Sequence, residues 1–201
     1  MQFLPIKRAL LSVTDKSGLI ELAQTLREGG VEIVSTGGTM RQLTQAGVEV
    51  VSVSEVTGFP EILGGRVKTL HPRIHAGVLA DKDNPEHLRT LEEHGIAPID
   101  LICVNLYDFA GALAKNLSPS QLVEEIDIGG PTLLRAGSKN YHSVAVIPSP
   151  EQYPRLVQEL ETQDFCLSLD FRREMAAAAF SMVSRYDALI AQSLSPEGEA
   201  T

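Results

Sequence analysis

Tryptophan is absent from these 201 residues, cysteine occurs only twice, and aromatic residues make up 5%. Cys103 and Cys166 lie far apart and match no zinc or redox spacing. Cys103 sits inside an apolar run, where a buried, reduced thiol is the expectation. No apolar run approaches the roughly 20 residues that span a bilayer, so a membrane is excluded as a partner. Met1–Lys7 lacks a signal peptide's order of charge, long apolar core and small-residue cleavage site. Basic charge is also scarce: 17 lysines and arginines against 26 aspartates and glutamates leave a net charge of −9. Duplex-binding proteins usually carry a basic face, so nucleic acid is a poor partner. A small anionic ligand is not excluded, because local amides and a few lysines outweigh a distant negative surface. Neither a Walker P-loop nor a G-x-G-x-x-G dinucleotide fingerprint is present. Together these absences fit a cytoplasmic protein that handles a small molecule.

What is present is an alternation of short apolar strands and amphipathic helices, in a length suited to one domain. Arg8–Val13 reads as a strand. Leu19, Leu22, Ala23 and Leu26 then recur at the period of a helix with one buried face, and Gly29-Gly30 ends it. Val31–Thr36 and Val48–Val53 read as the second and third strands. Thr39 and Gln42 suggest a capping box between them. Asn84-Pro85, Ser118-Pro119 and Ser149-Pro150 each place a cap residue before a proline at a first helical position, and Gln121 and Gln152 would complete capping boxes. Ile99–Leu106 is continuously apolar, the mark of a strand covered on both faces in a parallel sheet. Ser143–Ile147 is a further strand. From about Leu167 to Leu194 the pattern is helical, followed by a polar tail. The predicted fold is a three-layer α/β domain with a mostly parallel sheet over residues 1–165 and a C-terminal helical extension over 166–201. Ligands of such sheets bind at the carboxyl ends of the strands. Ser54–Gly77, rich in glycine, proline and charge but without periodicity, reads as a long functional loop.

Chemistry-bearing residues fall at the predicted strand ends. Ser12-Val13-Thr14-Asp15-Lys16-Ser17-Gly18 follows strand one and Ser35-Thr36-Gly37-Gly38-Thr39 follows strand two. Glycine admits a phosphate close to the backbone, helix N-terminal amides and hydroxyls donate to it, and Lys16 adds charge. The same residues also serve as plain helix caps. Gly64–Gly77 gathers Arg66, Lys68, His71, Arg73 and His75 in an otherwise acidic chain. His71 and His75 are four apart, but Pro72 intervenes and no glutamate follows His71, so a zinc site is not expected. Asn105-Leu106-Tyr107 ends the apolar strand. Asp127, between Ile126 and Ile128, is either a helix-capping carboxylate or an acid/base group. Lys139 closes the next predicted helix, where a cation also suits the helix dipole.

These segments, in this order, resemble the inosine-monophosphate (IMP) cyclohydrolase domain of the bifunctional purine-biosynthesis protein, AICAR formyltransferase/IMP cyclohydrolase. The resemblance runs from about Lys7 to Leu194 and is carried by SVTDKSG (12–18), STGGT (35–39), GRVKTLHPRIHAG (65–77), NLY (105–107), IDIGGPTLLRA (126–136) and SKN (138–140). STGGT is shared across the wider methylglyoxal-synthase-like fold, whereas KTLHP with IDIGGPTLLRA is specific. The resemblance implies a methylglyoxal-synthase-like fold and dehydrative closure of a formamidoimidazole-carboxamide ribotide to inosine monophosphate. It implies no metal or organic cofactor. Ser12, Lys16, Ser35, Thr36, Gly37 and Thr39 would bind the phosphate. Lys68, Thr69, Tyr107, Asp127 and Lys139 would be catalytic. Arg66, Asn105, Ile128 and Gly129 would hold the base. Family members of the bifunctional kind are dimers and continue into a folate-dependent formyltransferase domain, which no segment of this chain resembles. A homodimer is therefore one expectation.

Two positions depart from the family pattern. Asp108 stands where proline usually follows the NLY tyrosine, and Gly137-Ser138 stands where alanines usually precede the KN pair. The first either retunes Tyr107 or faces solvent, and the second is read as loosening a helix end. Two other functions share the phosphate turns: methylglyoxal synthase, and a nucleotide-sensing regulatory module like that of carbamoyl-phosphate synthetase. The first leaves KTLHP and IDIGG unexplained, and the second needs no lysine–tyrosine–aspartate set.

Overall fold

A computed structural model describes residues 1–115 and 117–195. Strand β1 (Phe3–Pro5) leads into β2 (Arg8–Ser12), α1 (Leu19–Glu28), β3 (Glu32–Ser35), α2 (Gly37–Gln45) and β4 (Val51–Ser52). The chain continues through α3 (Val53–Thr57), α4 (Pro72–Leu79), α5 (Pro85–Glu93) and β5 (Leu101–Val104). Then come α6 (Phe109–Leu113), α7 (Pro119–Glu124), α8 (Gly129–Lys139), β6 (Ala145–Ile147), α9 (Tyr153–Thr162), β7 (Cys166–Ser168) and α10 (Leu169–Leu194).

Five strands form a parallel sheet in the order β4-β3-β2-β5-β6. Alternate residues of its strands feed two separate cores. Ala9, Leu11, Ile33, Leu101 and Cys103 pack with α1 and α9, through Leu22, Leu26, Leu156 and Leu160. Leu10, Val34, Ile102 and Val104 pack with α4, α8 and α10, through Ile74, Leu134 and Ala179. Hence all four residues of β5 are buried, and the continuous apolar run is explained by helices on both faces. The three-layer α/β fold read from the sequence is the one observed. Burial also pushes the Cys103 thiol above its ordinary value, which leaves it protonated and inert.

Local differences have identifiable causes. The third strand is only Val51–Ser52, because Ser52 caps α3 in a capping box with Glu55 and turns the chain into helix. Helix α2 starts at Gly37, not beyond Thr39, and the Thr39 hydroxyl bonds the Val13 backbone instead. Ser118 and Gln121 form the expected capping box, whereas Ser149-Pro150 opens a 3-10 turn with no side-chain cap. The long loop shrinks to Gly58–His71 between α3 and α4, with a 3-10 turn at Leu63–Gly65. His71 Nδ1 accepts from Arg73 N and so caps α4. The antiparallel pairing of β1 with β7 has no strong sequence signal, since each strand is three residues long.

Helix α10 packs along α8 and β6. Its Arg172 is wholly buried and donates to backbone carbonyls of the N-terminal segment and of β7. Gly137 does more than loosen the end of α8: a methyl group placed on it would lie 2.6 Å from Ile102 Cδ1 and 3.3 Å from Cγ1. Glycine here lets α8 sit close on β5 and β6. Gly137→Ala is expected to cost roughly 1–3 kcal/mol by overpacking, seen as a lower denaturant midpoint with unchanged slope.

Candidate functional site

The strand order reverses between β2 and β5: the chain grows outward from β2 through β3 to β4, then returns to β5 on the other side. In open α/β sheets the crevice at such a switch point takes the ligand. Ser12 pairs with Val104 in the register, so the turns after both strands meet at one edge. Asn105 joins them. Its Oδ1 accepts from the amides of Thr14 at 2.6 Å and Asp15 at 3.0 Å, and its Nδ2 donates to Asp15 O at 2.8 Å. A cleft of about 600 Å³ opens at this edge, a size that suits a small-molecule ligand.

At one end of the cleft lies the N-terminus of α2, in a left-handed turn at Gly37 (φ +47°) that a side chain would strain. A methyl group on Gly37 would lie 3.9 Å from Lys68 Nζ, and one on Gly38 would lie 4.0 Å from Lys16 Nζ. Two lysines from different segments thus converge on the positive end of a helix, with the Ser12 and Thr36 hydroxyls 3.2 Å apart beside them. This is an anion-binding arrangement.

At the other end, α8 begins at Gly129. Asp127 Oδ1 accepts from Gly130 N at 2.9 Å, so the capping reading of this carboxylate is realised. Gly130 is required by that cap, since a Cβ there would fall 2.4 Å from Asp127 Oδ2. Burial pushes the Asp127 carboxyl above its usual value. The amides of Gly130 and Tyr107, the Lys68 charge and the Gly129 amide oppose it. Tyr186 of α10 holds the same turn from behind, its hydroxyl oxygen accepting from Asp127 N at 2.8 Å. Thr69 is buried beside Gly129, and Tyr107 stands at the rim, 40% exposed.

The raised Asp127 value carries a sign for stability. Above it the native state bears a buried charge that the unfolded chain solvates; below the ordinary value of 3.8 both are neutral and the penalty is gone. Asp127→Asn keeps an oxygen for Gly130 N and removes the charge. The variant's Tm is expected to exceed wild type most at neutral pH, with the gap closing as pH falls through the raised value towards 3.8. Thermal unfolding of both proteins between pH 3 and 8 measures it; a pH-independent gap would remove the buried charge as the cause.

The cleft gathers most of the residues singled out from the sequence: Ser12, Lys16, Thr36, Thr39, Arg66, Lys68, Thr69, Asn105, Tyr107, Asp127, Ile128 and Gly129. Several are already engaged. Thr39 is bound to Val13, and Ser35 is fully buried with its hydroxyl on Leu11 O at 2.7 Å, behind the cleft wall. Asn105 shapes the Thr14–Asp15 turn. Arg66 ion-pairs with Glu124 across the rim. Lys139 does not join the cleft of its own chain. It is exposed at the opposite end of α8, about 15 Å from Gly129 at 1.5 Å per residue. Asp108 caps α6 through Gly111 N at 2.9 Å, so the residue in the usual proline position turns away from Tyr107's chemistry. Glu61, Glu124 and Tyr186 escaped the sequence reading, because an acidic residue in a turn or helix and a tyrosine on a long helix carry no local signal of their partners.

Fold and cleft together define a three-layer α/β domain with a ligand site at the switch point of its parallel sheet. Residues 18–132 match the family model described as "MGS-like domain", and the chain belongs to that family. Residues 137–201 match the model described as "AICARFT/IMPCHase bienzyme". The chain is 53% identical over 193 residues, 96% of its length, to "Bifunctional purine biosynthesis protein PurH" of Oenococcus oeni, and covers 38% of that protein. It is 50% identical over 94% of its length to the protein of the same name from Neisseria meningitidis, covering 36% of it. The chain thus spans little more than a third of these curated relatives. Among solved structures, ForH superposes with a TM-score of 0.81 at 34% identity, over 93% of this chain and 98% of that one. Among the described residues no helix is long and apolar enough to cross a membrane, and no group of three or more His, Cys, Asp or Glu is placed to hold a metal ion.

Proposed function

We propose that this chain closes the purine ring of inosine monophosphate by dehydrating a formamidoimidazole-carboxamide ribotide. The observation that carries the reading is the position of Lys68. Its Nζ lies beside the α2 N-terminus, and its charge also acts on half-buried Asp127 at the far end of the cleft. One cation thereby spans the distance between an anion-binding end and an acid/base end, as a mononucleotide substrate requires. The match to the AICARFT/IMPCHase model and the PurH relatives support purine chemistry over the two other functions that share these turns.

The reaction needs a carboxamide nitrogen to attack a formamide carbon in the same molecule. A C–N bond forms, the former carbonyl oxygen bears negative charge, and the carboxamide nitrogen loses one proton. The oxygen, taking up two protons, then leaves as water as the formamido nitrogen loses its own proton and a C=N bond replaces the broken C–O bond. Lys16 and the α2 amides hold the phosphate. Asp127, ionised above its raised value, accepts the nitrogen's proton. Lys68 stabilises the oxyanion and, with Tyr107, supplies the proton to the leaving oxygen. Thr69 supports Gly129 at the head of α8, and Lys139 has no part within this chain's cleft. Holding the two reacting groups face to face supplies much of the remaining acceleration. The test is to incubate the purified chain with the formamido ribotide and follow the absorbance of the forming purine. Turnover is expected; tight binding of inosine monophosphate with no turnover would overturn catalysis and favour a nucleotide sensor.

A further inference from the structure

A second cavity, of about 620 Å³, lies behind the Ser12–Gly18 turn. Residues of that turn divide between the two sites: Thr14 and Lys16 face the cleft, while Asp15, Ser17 and Gly18 face the second cavity. Its walls are the exposed side of α1 and the start of α9, with Leu22, Pro150, Pro154 and Val157 as apolar surface.

Two independent features mark it as a binding groove. First, three carboxylates from three segments stand around it: Asp15 in the turn, Glu21 in α1 and Glu151 in the 3-10 turn at Pro150–Gln152. Ser17 engages one Asp15 oxygen through its amide at 2.9 Å and its hydroxyl at 2.7 Å, which holds that carboxyl below its usual value. Among the described residues none of the three carboxylates pairs with a cation. Second, Tyr153 lines the groove at only 4% exposure, yet its hydroxyl makes no hydrogen bond to any described residue. Burial and the nearby carboxylates of Asp15 and Glu151 push that hydroxyl's pKa up, so it stays a neutral donor and acceptor.

Apolar walls, a tyrosine hydroxyl without a bond to the described residues, and a carboxylate rim are complementary to one chemistry. We infer that this groove docks an arginine-bearing apolar segment of another polypeptide. A guanidinium presents five donors in a planar fork, enough for the Tyr153 oxygen and two of the carboxylates, and its apolar neighbours cover Pro150, Pro154 and Val157. An ammonium offers only three donors from a single point. Anions are repelled by the rim, which separates this groove from the lysine-lined cleft across the turn.

The probe is an acetylated, amidated pentapeptide alternating leucine and arginine, titrated into the full chain by calorimetry and amide NMR. Saturable sub-millimolar binding is expected, weakened by salt, with signals of Ser17, Gly18 and Glu21 moving more than those of Gly37 and Gly38. Glu21→Gln and Glu151→Gln lie on exposed surface outside the cleft, and each should weaken binding about tenfold, the loss typical of one hydrogen bond to a charged group. Tyr153→Phe keeps the ring packed and should weaken it as well. Binding that none of the three changes alter would overturn the assignment. So would equal affinity for the glutamate analogue of the peptide, or for octylguanidinium alone, which would make the groove a small-cation site.

Discussion

Lys68→Ala is expected to lower kcat for purine ring closure by about 10²–10⁴-fold, the usual range for losing an acid/base group or an oxyanion donor. The effect on KM should be much smaller. In the proposed reaction, phosphate affinity rests mainly on Lys16, on the Ser12 and Thr36 hydroxyls and on the α2 amides, and all of these remain. The oxyanion, by contrast, exists only in and after the transition state, so a group that serves it affects kcat before KM. Fold stability should hardly change, because Lys68 is half-buried and forms no ion pair or hydrogen bond among the described residues. Steady-state kinetics on the formamido ribotide, with unfolding curves run alongside, distinguish the cases. A variant with normal kcat and raised KM would reduce Lys68 to a binding residue. One that unfolds would make the comparison one between Lys68→Met and wild type, where the apolar stem is kept.

Arg172→Met is expected to destabilise the fold by about 3–5 kcal/mol, the scale of stripping one partner from a buried charged network. The guanidinium, 0% exposed, is held entirely by backbone. Nε donates to Leu167 O and Ser168 O, both at 3.3 Å; Nη1 to Tyr141 O at 2.9 Å and to His142 O; Nη2 to Met1 O at 2.7 Å and Gln2 O at 3.4 Å. One side chain thus ties the N-terminal segment, the turn before β6 and the β7–α10 junction. Methionine fills part of the volume but leaves those carbonyls without a donor. At roughly 2–4 °C per kcal/mol for a chain of this size, Tm should fall by about 10 °C. A shift within about 2 °C, roughly the effect of a typical surface change, would show that water or rearranged backbone replaces the guanidinium. Activity per folded molecule is expected to survive in the cold, since Arg172 does not line the cleft.

Set against these two residues, the sequence was informative in an uneven way. Periodicity placed α1 through Leu19, Leu22, Ala23 and Leu26, because a helix buries one face and its residues repeat every 3.6 positions. The unbroken apolar run placed β5 in the interior of a parallel sheet. Local side-chain chemistry placed the caps at Asn84 and Ser118. The strand readings placed Lys16 and Tyr107 just after strand ends and so at one edge of the sheet. All of this depends on neighbours within a few residues, or on topology that alternating strands and helices enforce.

What remained hidden depends on contacts between distant segments. Arg172 reads as one more charge on a long helix, and only the convergence of the N-terminus, Tyr141–His142 and α10 makes it interior. Gly137 reads as a weak helix end until Ile102 is seen 2.6 Å from where its methyl would be. Asn105 reads as a base ligand until the backbone of Thr14 and Asp15 takes up its amide. Lys139, ten residues along a rigid helix from Gly129, is removed from the cleft by helix geometry alone. The amino-acid sequence by itself determined the layers, the strand ends and the chemical character of the cleft, because those follow from local periodicity and residue type. Only the tertiary structure decided which polar groups are free to meet a ligand, because a hydroxyl or an amide becomes spent through partners that lie far away along the chain.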